Sequence, residues 1–180
     1  MSKYEVVEKF VSINGEGTKA GQLAVFIRFK GCNLNCKYCD TKWANEQETP
    51  SQPMTEKEIL DYVLSTGVKN VTLTGGEPLL REGIENVITV LAENNLNIEI
   101  ETNGSVYLDK IRKLHKENVT FTMDYKLSCS GMEAAMNVDN FNILSSNDTV
   151  KFVAGCREDL IKAKQIIEKY NLYGKCNLYI

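Results

Sequence analysis

Residues Asn70-Val71-Thr72-Leu73-Thr74-Gly75-Gly76-Glu77-Pro78 have the pattern of a short strand that ends in two glycines and a turn. This segment begins a regular alternation, in which each strand-like run is followed by a helix-like one. The later predicted strands are residues 97–102, 119–125, 149–153 and 177–180, and successive strands start 22 to 30 residues apart. Such spacing is typical of βα units, and it predicts parallel strands joined by helical crossovers.

Helical patterns occupy residues 84–93, 108–117 and 158–170, and a less regular, partly helical segment lies near 132–136. Ahead of them, Thr55-Glu56-Lys57-Glu58 has the form of a capping box and predicts the start of another helix. Near the N-terminus, strand-like runs at 5–13 and 23–29 predict a hairpin. The polar stretch 44–53 holds two of the three prolines and predicts a surface connection.

The length of the chain restricts how these units can close. A complete eight-unit barrel needs ~200 residues or more, whereas this chain has 180. We therefore expect an α/β fold, with a partial (β/α)6-type barrel of parallel strands and an N-terminal hairpin-like extension, in a single domain over residues 1–180. An open doubly wound sheet is the alternative. Both architectures place ligands at the carboxyl ends of the strands, where this sequence has glycines and polar residues.

Composition and charge exclude several classes of protein. Hydrophobic residues make up 43% of the chain and charged residues 25%, as in ordinary globular proteins. The formal net charge is -3, so we expect no nucleic-acid partner. Apolar runs are far shorter than the ~20 residues that a membrane span needs, and the N-terminus has no signal-peptide pattern. We expect a cytoplasmic protein whose thiols stay reduced.

Three of the six cysteines, Cys32, Cys36 and Cys39, lie in one loop with the spacing Cys-x3-Cys-x2-Cys. Four thiolates would close a zinc site or fully ligate a four-iron cluster, whereas three leave one corner open. The loop therefore predicts an iron-sulfur cluster with one reactive iron. The alternatives are a zinc site whose fourth ligand lies elsewhere and three buried cysteines with no shared ligand. The only histidine, His115, falls in a helix pattern and fits a surface or satisfied helical residue.

The cysteine loop followed by Gly75-Gly76-Glu77-Pro78 resembles the radical S-adenosylmethionine superfamily. The resemblance implies a [4Fe-4S] cluster on the three cysteines, with S-adenosylmethionine on the fourth iron. Tyr38 would then lie near the adenine, and Gly75, Gly76 and Glu77 would hold the methionyl amino group. The residues implied to contact the rest of the cofactor lie at later strand ends: Glu101, Asn103, Asp124, Lys126 and Ser128.

Further segments resemble one family of this superfamily, the 7-carboxy-7-deazaguanine synthases. The match runs through residues 12–17, Gly21, 26–29 and 31–41, and it returns at 124–126, Ser128, 130–132 and 150–153. Asn14 stands where that family commonly has glutamine, and Cys129 stands where a proline is frequent. Family members usually continue past the position of Ile180, so we expect the substrate pocket to be completed either by residues beyond it or in a different way.

This second resemblance implies a radical ring contraction of 6-carboxy-5,6,7,8-tetrahydropterin to 7-carboxy-7-deazaguanine with loss of ammonia, a step toward queuosine and other deazapurines. Thr41 is the implied Mg2+ ligand. Glu16 can accept hydrogen bonds from the pterin edge, and Arg28 suits the substrate carboxylate. A homodimer and a flavodoxin-like electron donor are implied as well. The residues implied to contact substrate are Asn14, Gly15, Glu16, Gly17, Arg28 and Thr74.

Two other functions fit parts of the sequence. An activating enzyme of an anaerobic ribonucleotide reductase, or of another glycyl-radical protein, would share the cysteine loop but would give Glu16 and Arg28 no common purpose. A non-catalytic zinc or iron-sulfur module would not need the Gly75-Gly76-Glu77-Pro78 segment. Metal analysis separates these functions, since a cluster brings about four iron and four sulfide per chain and a zinc module brings zinc.

Overall fold

The computed structural model describes residues 2–114 and 117–180. His115 lies outside the described residues, so its assignment stays a prediction. Within the described part of the chain, no helix combines the length and the apolarity needed to cross a bilayer.

Eight strands form one sheet. They are β1 (Tyr4–Ile13), β2 (Leu23–Phe29), β3 (Gln52–Met54), β4 (Asn70–Gly75), β5 (Asn97–Thr102), β6 (Val119–Tyr125), β7 (Thr149–Phe152) and β8 (Asn177–Tyr179). Their order is β3-β1-β2-β4-β5-β6-β7-β8, with β3 and β8 at the two edges. From β2 to β8 every neighbouring pair is parallel, whereas β1 pairs antiparallel with β2 and β3. The α/β fold with an open, partial barrel and an N-terminal hairpin is therefore confirmed.

Helices connect the parallel strands. They are α1 (Glu56–Thr66), α2 (Ile84–Glu93), α3 (Asp109–Leu114), α4 (Asn140–Ile143) and α5 (Arg157–Lys169). The predicted capping box is present at the start of α1, where the Thr55 hydroxyl accepts from the Glu58 amide and the Glu58 carboxylate accepts from the Thr55 amide. The capping box and the helical periodicity thus predicted helices that the structure contains.

Two connections differ from the sequence prediction. The stretch 44–53 is not only a surface connection, because its end enters β3; Pro53 is tolerated there since β3 is an edge strand. The segment near 132–136 contains a single 3-10 turn, Glu133–Ala135, rather than a helix. The crossover is instead fixed by Asn140 of α4, whose amide donates to the carbonyls of Gly104 and Val106.

The sheet has an apolar face and a polar face because successive side chains of a strand point to opposite sides. The apolar face packs under the helices in one core. Its strand residues include Val25, Ile27, Val71, Leu73, Ile98, Ile100, Phe121, Met123, Val150 and Phe152. The alternate positions carry mostly polar or charged side chains: Phe26, Arg28, Thr72, Thr74, Glu99, Glu101, Thr122, Asp124, Thr149 and Lys151. This second face forms the interior of the open barrel and supplies the wall of the site described next.

Candidate active site

A cavity of about 510 Å³ lies at the carboxyl ends of the parallel strands. Strands β2, β4, β5, β6 and β7 each contribute residues to its wall, and the cysteine loop and the β1–β2 connection complete it. Of the predicted site residues, the cavity brings together Asn14, Gly15, Glu16, Arg28, Cys32, Cys36, Tyr38, Cys39, Thr41, Thr74, Gly75, Gly76, Glu101, Asn103, Asp124 and Lys126. Gly17, Glu77 and Ser128 do not line it.

The cysteine loop begins directly after β2, at Gly31, which has a φ of +90°. The three thiols of Cys32, Cys36 and Cys39 are not in disulfides and line the same cavity. The sulfur of Cys32 accepts hydrogen bonds from the Leu34 amide at 3.4 Å and from the Asn103 side chain at 3.6 Å. These donors favour a thiolate, the form that binds metal.

Burial raises the pKa of Cys32 and of Cys36. The same thiols lose their protons when a metal binds, so metal binding at this loop is linked to proton release. Among the described residues, no three His, Cys, Asp or Glu side chains are grouped to hold a single ion. A zinc site needs such a group. The loop itself supplies three thiols, one fewer than a structural zinc site needs and the number that leaves one iron of a four-iron cluster open.

The segment that follows β6 also holds the cysteine loop in place. The Lys37 amide donates to the Ser130 carbonyl at 3.0 Å, and the Asn35 amide contacts the Met132 sulfur at 3.4 Å. The Asn103 amide group also donates to the Asn33 side chain at 3.1 Å. These contacts fix the loop between β5 and the segment after β6.

Gly75 and Gly76 line the cavity, and the structure shows why no side chain fits at either position. A Cβ on Gly75 would collide with the backbone of Phe29, and one on Gly76 would collide with the Gly31 carbonyl. The amides of Gly76 and Glu77 donate to those same two carbonyls, at 3.2 and 3.0 Å. The glycines thus allow β4 to approach the start of the cysteine loop, a packing requirement in addition to the predicted contact with a cofactor.

Glu77 does not line the cavity, because its carboxylate is fully buried behind the cavity wall. Its oxygens accept hydrogen bonds from the Leu79 amide, the Thr102 hydroxyl and the Asn103 amide. Burial raises the pKa of Glu77 to about 7. In this structure Glu77 therefore orients the end of β5, where Thr102 and Asn103 line the cavity.

Ser128 also lies outside the cavity lining. Its hydroxyl donates to the Asp159 carboxylate at 2.7 Å, and the amides of Cys129 and Gly155 donate to the same carboxylate. Hydrogen bonds from the Cys129 side chain, the Ser128 hydroxyl and the Gly155 amide hold the pKa of Asp159 well below its usual range. Ser128 is thus part of the junction between the turn after β6 and the start of α5, away from the cavity wall.

Gly17 does not line the cavity either, and it lies in the barrel interior beneath it. Its φ is +59°, and a Cβ there would lie 2.5 Å from both the Glu99 carboxylate and the Thr122 hydroxyl. Asn14, which is 1% exposed, donates to Thr72 and to Glu99. The connection between β1 and β2 therefore closes the lower end of the open barrel, and only Asn14, Gly15 and Glu16 reach the cavity wall.

The wall beside Glu16 carries alternating charges. Lys151 of β7 contacts Glu16 at 2.7 Å and Asp124 at 3.7 Å, and Asp124 also contacts Lys126 at 2.7 Å. The Lys126 ammonium lies 5.7 Å from the ring centre of Tyr38, a cation-π distance. One oxygen of Asp124, Oδ1, is buried and has no hydrogen-bond partner among the described residues.

Two further wall residues have defined environments. Arg28 pairs through Nε with Glu8, at 3.0 Å from a carboxylate that is 42% exposed. An arginine has two more nitrogen atoms with donor hydrogens, so this contact leaves donor capacity for a ligand. Burial raises the pKa of Glu101 to about 7, against the lowering effect of a hydrogen bond with Thr74. A carboxyl group that titrates near neutrality therefore lies in the cavity wall.

Sequence reasoning did not assign several wall residues, notably Asn45, Thr102, Thr122 and Lys151. The alternation of side chains along a strand could have identified two of them. Thr122 is two positions from Asp124 and Lys151 is two positions from Thr149, so each points to the same inner face of the sheet as its neighbour. Asn45 lies in the stretch read as a surface connection. Its side-chain oxygen is buried without a hydrogen-bond partner in the described part of the chain.

Comparison with known proteins agrees with this geometry. Residues 26–126 match the radical SAM superfamily. A 7-carboxy-7-deazaguanine synthase of Clostridium acetobutylicum is 58% identical over 178 residues, covering 98% of this chain and 80% of the relative. One from Methanospirillum hungatei is 34% identical, covering 92% and 68%. In fold, the chain is similar to QueE from Escherichia coli, with a TM-score of 0.74 at 23% identity, covering 92% and 78%. The chain belongs to the 7-carboxy-7-deazaguanine synthase family of radical S-adenosylmethionine enzymes.

Proposed function

We propose that this enzyme converts 6-carboxy-5,6,7,8-tetrahydropterin to 7-carboxy-7-deazaguanine with loss of ammonia. The observation that carries the proposal is that one cavity is shared by the three cysteine thiols and by Glu16, Arg28 and Glu101. When bound, the [4Fe-4S] cluster and S-adenosylmethionine supply hydrogen abstraction from an unreactive carbon by a 5'-deoxyadenosyl radical. The relatives named as synthases favour this reaction over the activating-enzyme alternative.

On the substrate side, the charged wall residues match the polar groups of a carboxylated pterin. Arg28 can bind the substrate carboxylate, since a guanidinium and a carboxylate form charge-assisted hydrogen bonds. Glu16 can accept hydrogen bonds from the N–H groups of the pterin ring. The resemblance assigns Glu101 to the cofactor, but Glu101 shares this wall with Glu16 and Arg28, and we assign it to the pterin ring instead. Thr74, which shares a hydrogen bond with Glu101, would keep that carboxyl group oriented. Substrate orientation would thus come from three different strands and one connection.

On the cofactor side, the residues that reach the cavity are Tyr38, Gly75, Gly76, Asn103, Asp124 and Lys126. We assign them to S-adenosylmethionine. Asp124 has an unpartnered buried oxygen that can accept a hydrogen bond from a cofactor hydroxyl. Lys126 already forms an ion pair with Asp124, so its ammonium group would contact Asp124 and a cofactor carboxylate at the same time. Tyr38, 37% exposed, offers its ring face to the adenine.

The proposal also includes Mg2+, bound by Thr41 together with oxygen atoms of substrate and water. Thr41 and Asp40 both line the cavity next to Cys39, and oxygen ligands suit this hard cation. The family supports three further parts of the proposal: a flavodoxin-like electron donor, a homodimer, and a place in the cytoplasm.

The test is turnover by the anaerobically reconstituted protein with reductant, S-adenosylmethionine, Mg2+ and 6-carboxytetrahydropterin, with products followed by mass spectrometry. We expect 7-carboxy-7-deazaguanine and 5'-deoxyadenosine. Arg28→Ala should lose the deazapurine but keep about four iron per chain. Arg157→Ala, an exposed arginine at the start of α5, is the matched control and should leave both products unchanged. Formation of 5'-deoxyadenosine without the deazapurine by the unmodified chain would contradict the proposed substrate.

A further inference from the structure

Glu16 is tied to a strand that is distant from it in sequence and in the sheet. It lies in the connection between β1 and β2, yet its carboxylate contacts the Lys151 ammonium of β7, 135 positions further along the chain. The adjacent Gly17 carbonyl accepts a hydrogen bond of 3.4 Å from the Tyr179 hydroxyl of β8. The connection between β1 and β2 is thus attached to β7 and β8, the two strands on the far side of the open barrel.

Lys151 is well placed to hold a carboxylate at the cavity. Its side chain is 26% exposed and lies between Glu16 and Asp124, at 2.7 and 3.7 Å. Glu101 also contributes to its electrostatic environment. Burial alone would lower the pKa of Lys151, but the neighbouring carboxylates outweigh burial and raise it. Lys151 is therefore a cation that the surrounding carboxylates stabilise.

The Glu16 side chain, in contrast, has little else to hold it. It is 41% exposed, and no heavy atom of the described residues lies within 4 Å of a Cβ position at Gly15 before it. The backbone amide of Glu16 is fixed by the Asn14 side chain, but this bond does not set the direction of the carboxylate. Without Lys151, the Glu16 carboxylate would be drawn toward solvent, because Asp124 and Glu101 on the same wall repel it.

We propose that Lys151 is a positioning residue: it holds the Glu16 carboxylate at the cavity wall and thereby sets the affinity for the pterin ring. This inference rests on the proposed function, because it assumes that Glu16 binds the pterin. Lys151 acts through Glu16. Its second partner, Asp124, keeps the Lys151 ammonium group in place when Glu16 turns toward a ligand. Direct binding of the substrate carboxylate by Lys151 is the competing arrangement.

The test measures the dissociation constant of 6-carboxytetrahydropterin by anaerobic equilibrium dialysis against the reconstituted protein with S-adenosylmethionine, without reductant. Lys151→Met should weaken binding about tenfold, as loss of a charge-assisted contact predicts. Lys151→Arg, which keeps the charge, should recover binding to within about threefold. In a Glu16→Gln background, Lys151→Met should cost less than about twofold, because the two residues act together. Lys164→Met removes an exposed lysine that pairs with Glu168, and it should change nothing.

Hydrogen exchange separates positioning from general damage to the fold. Lys151→Met should speed amide exchange at residues 15–20 and leave the strands and the iron content unchanged. The inference is overturned if Lys151→Met leaves the dissociation constant unchanged, if it costs as much in the Glu16→Gln background as alone, or if the unmodified protein does not bind the pterin. Normal binding and coupling without deazapurine formation would instead refute the proposed function and leave the inference standing.

Discussion

Substitution of Gly17 by alanine tests the placement of the β1–β2 connection inside the barrel. Gly17 adopts a φ of +59°, and a Cβ at this position would lie 2.5 Å from the Glu99 carboxylate and from the Thr122 hydroxyl. Those two atoms cannot move away freely, because the Thr122 hydroxyl donates to Glu99 and the Glu99 carboxylate also accepts from Asn14. Alanine at position 17 therefore carries both a conformational and a steric cost.

The two costs can be estimated separately. The left-handed conformation costs an L-residue roughly 1–2 kcal/mol, and the lower entropy of the unfolded alanine chain offsets about 0.4–1 kcal/mol of this. Overpacking of the interior adds about 1–3 kcal/mol. We expect Gly17→Ala to lower the free energy of unfolding by about 2–4 kcal/mol, which corresponds to roughly 4–16 °C in Tm for a chain of this size.

Two other glycines provide matched controls. Gly21 has a φ of +85° but no heavy atom within 4 Å of a Cβ position, so Gly21→Ala should show only the conformational cost of about 1 kcal/mol. Gly15 has neither a positive φ nor a close neighbour, so Gly15→Ala should be neutral or slightly stabilising. The assay is anaerobic urea unfolding of the reconstituted proteins, followed by far-ultraviolet circular dichroism. The variants are compared where the slope m of free energy against urea concentration is the same for each.

The order of the three variants decides the outcome. If Gly17→Ala destabilises no more than Gly21→Ala, no packed interior surrounds position 17, and the placement of the connection beneath the cavity is wrong.

Three further predictions concern separate parts of the molecule. Glu101 has a pKa of about 7 in the folded chain against 4.5 for the free side chain, so the folded state keeps the proton to higher pH and loses stability as pH rises between these values. Between about pH 5.5 and about pH 8, the free energy of unfolding of Glu101→Gln should therefore rise by about 2 kcal/mol relative to that of the unmodified chain, measured by urea unfolding. Parallel curves of stability against pH for the two proteins would contradict this. Asp148→Ala removes the fully buried partner of a salt bridge and should cost about 3–5 kcal/mol in the same assay, whereas Asp61→Ala, in an exposed pair, should cost under about 1 kcal/mol; equal costs would refute the difference in burial. Cys36→Ala should lower the iron content well below about four per chain, the value that Cys129→Ala should keep. Iron and sulfide analysis checks this, and a lower iron content in Cys129→Ala than in Cys36→Ala would contradict it.

Much of the fold could be predicted from sequence because the relevant signals are local. The helix at 84–93 matches the bounds of α2, since its apolar residues recur with helical spacing. Strands β5 and β6 also match their predicted bounds, 97–102 and 119–125. Residue 53 shows the limit of such signals: proline disfavours a strand in general, and only the position of β3 at the sheet edge makes it acceptable.

The candidate site divides in the same way. Spacing brings the three cysteines into one loop, and it needs no partner strand to do so. Glu77 and Lys151 show what spacing cannot decide. Glu77 follows a strand end as a cofactor ligand would, but β5 lies beside β4 and its Thr102 and Asn103 take both carboxylate oxygens. Lys151 lies in the segment 150–153 that resembles the family, but the resemblance gives it no role, and only the register of β6 and β7 sets it opposite Asp124.

The sequence alone therefore determined most of the succession of strands and helices along the chain, β3 and α4 excepted, as well as the parallel α/β class and the cysteine loop, because periodicity, capping and ligand spacing act over a few neighbouring residues. Tertiary structure decided which polar residues share the cavity and which are buried as supports. Gly17 is the clearest case: its neighbours Glu99, Thr122 and Thr149 come from three different strands. Only the order and register of those strands bring them together, and both depend on contacts between residues far apart in the chain.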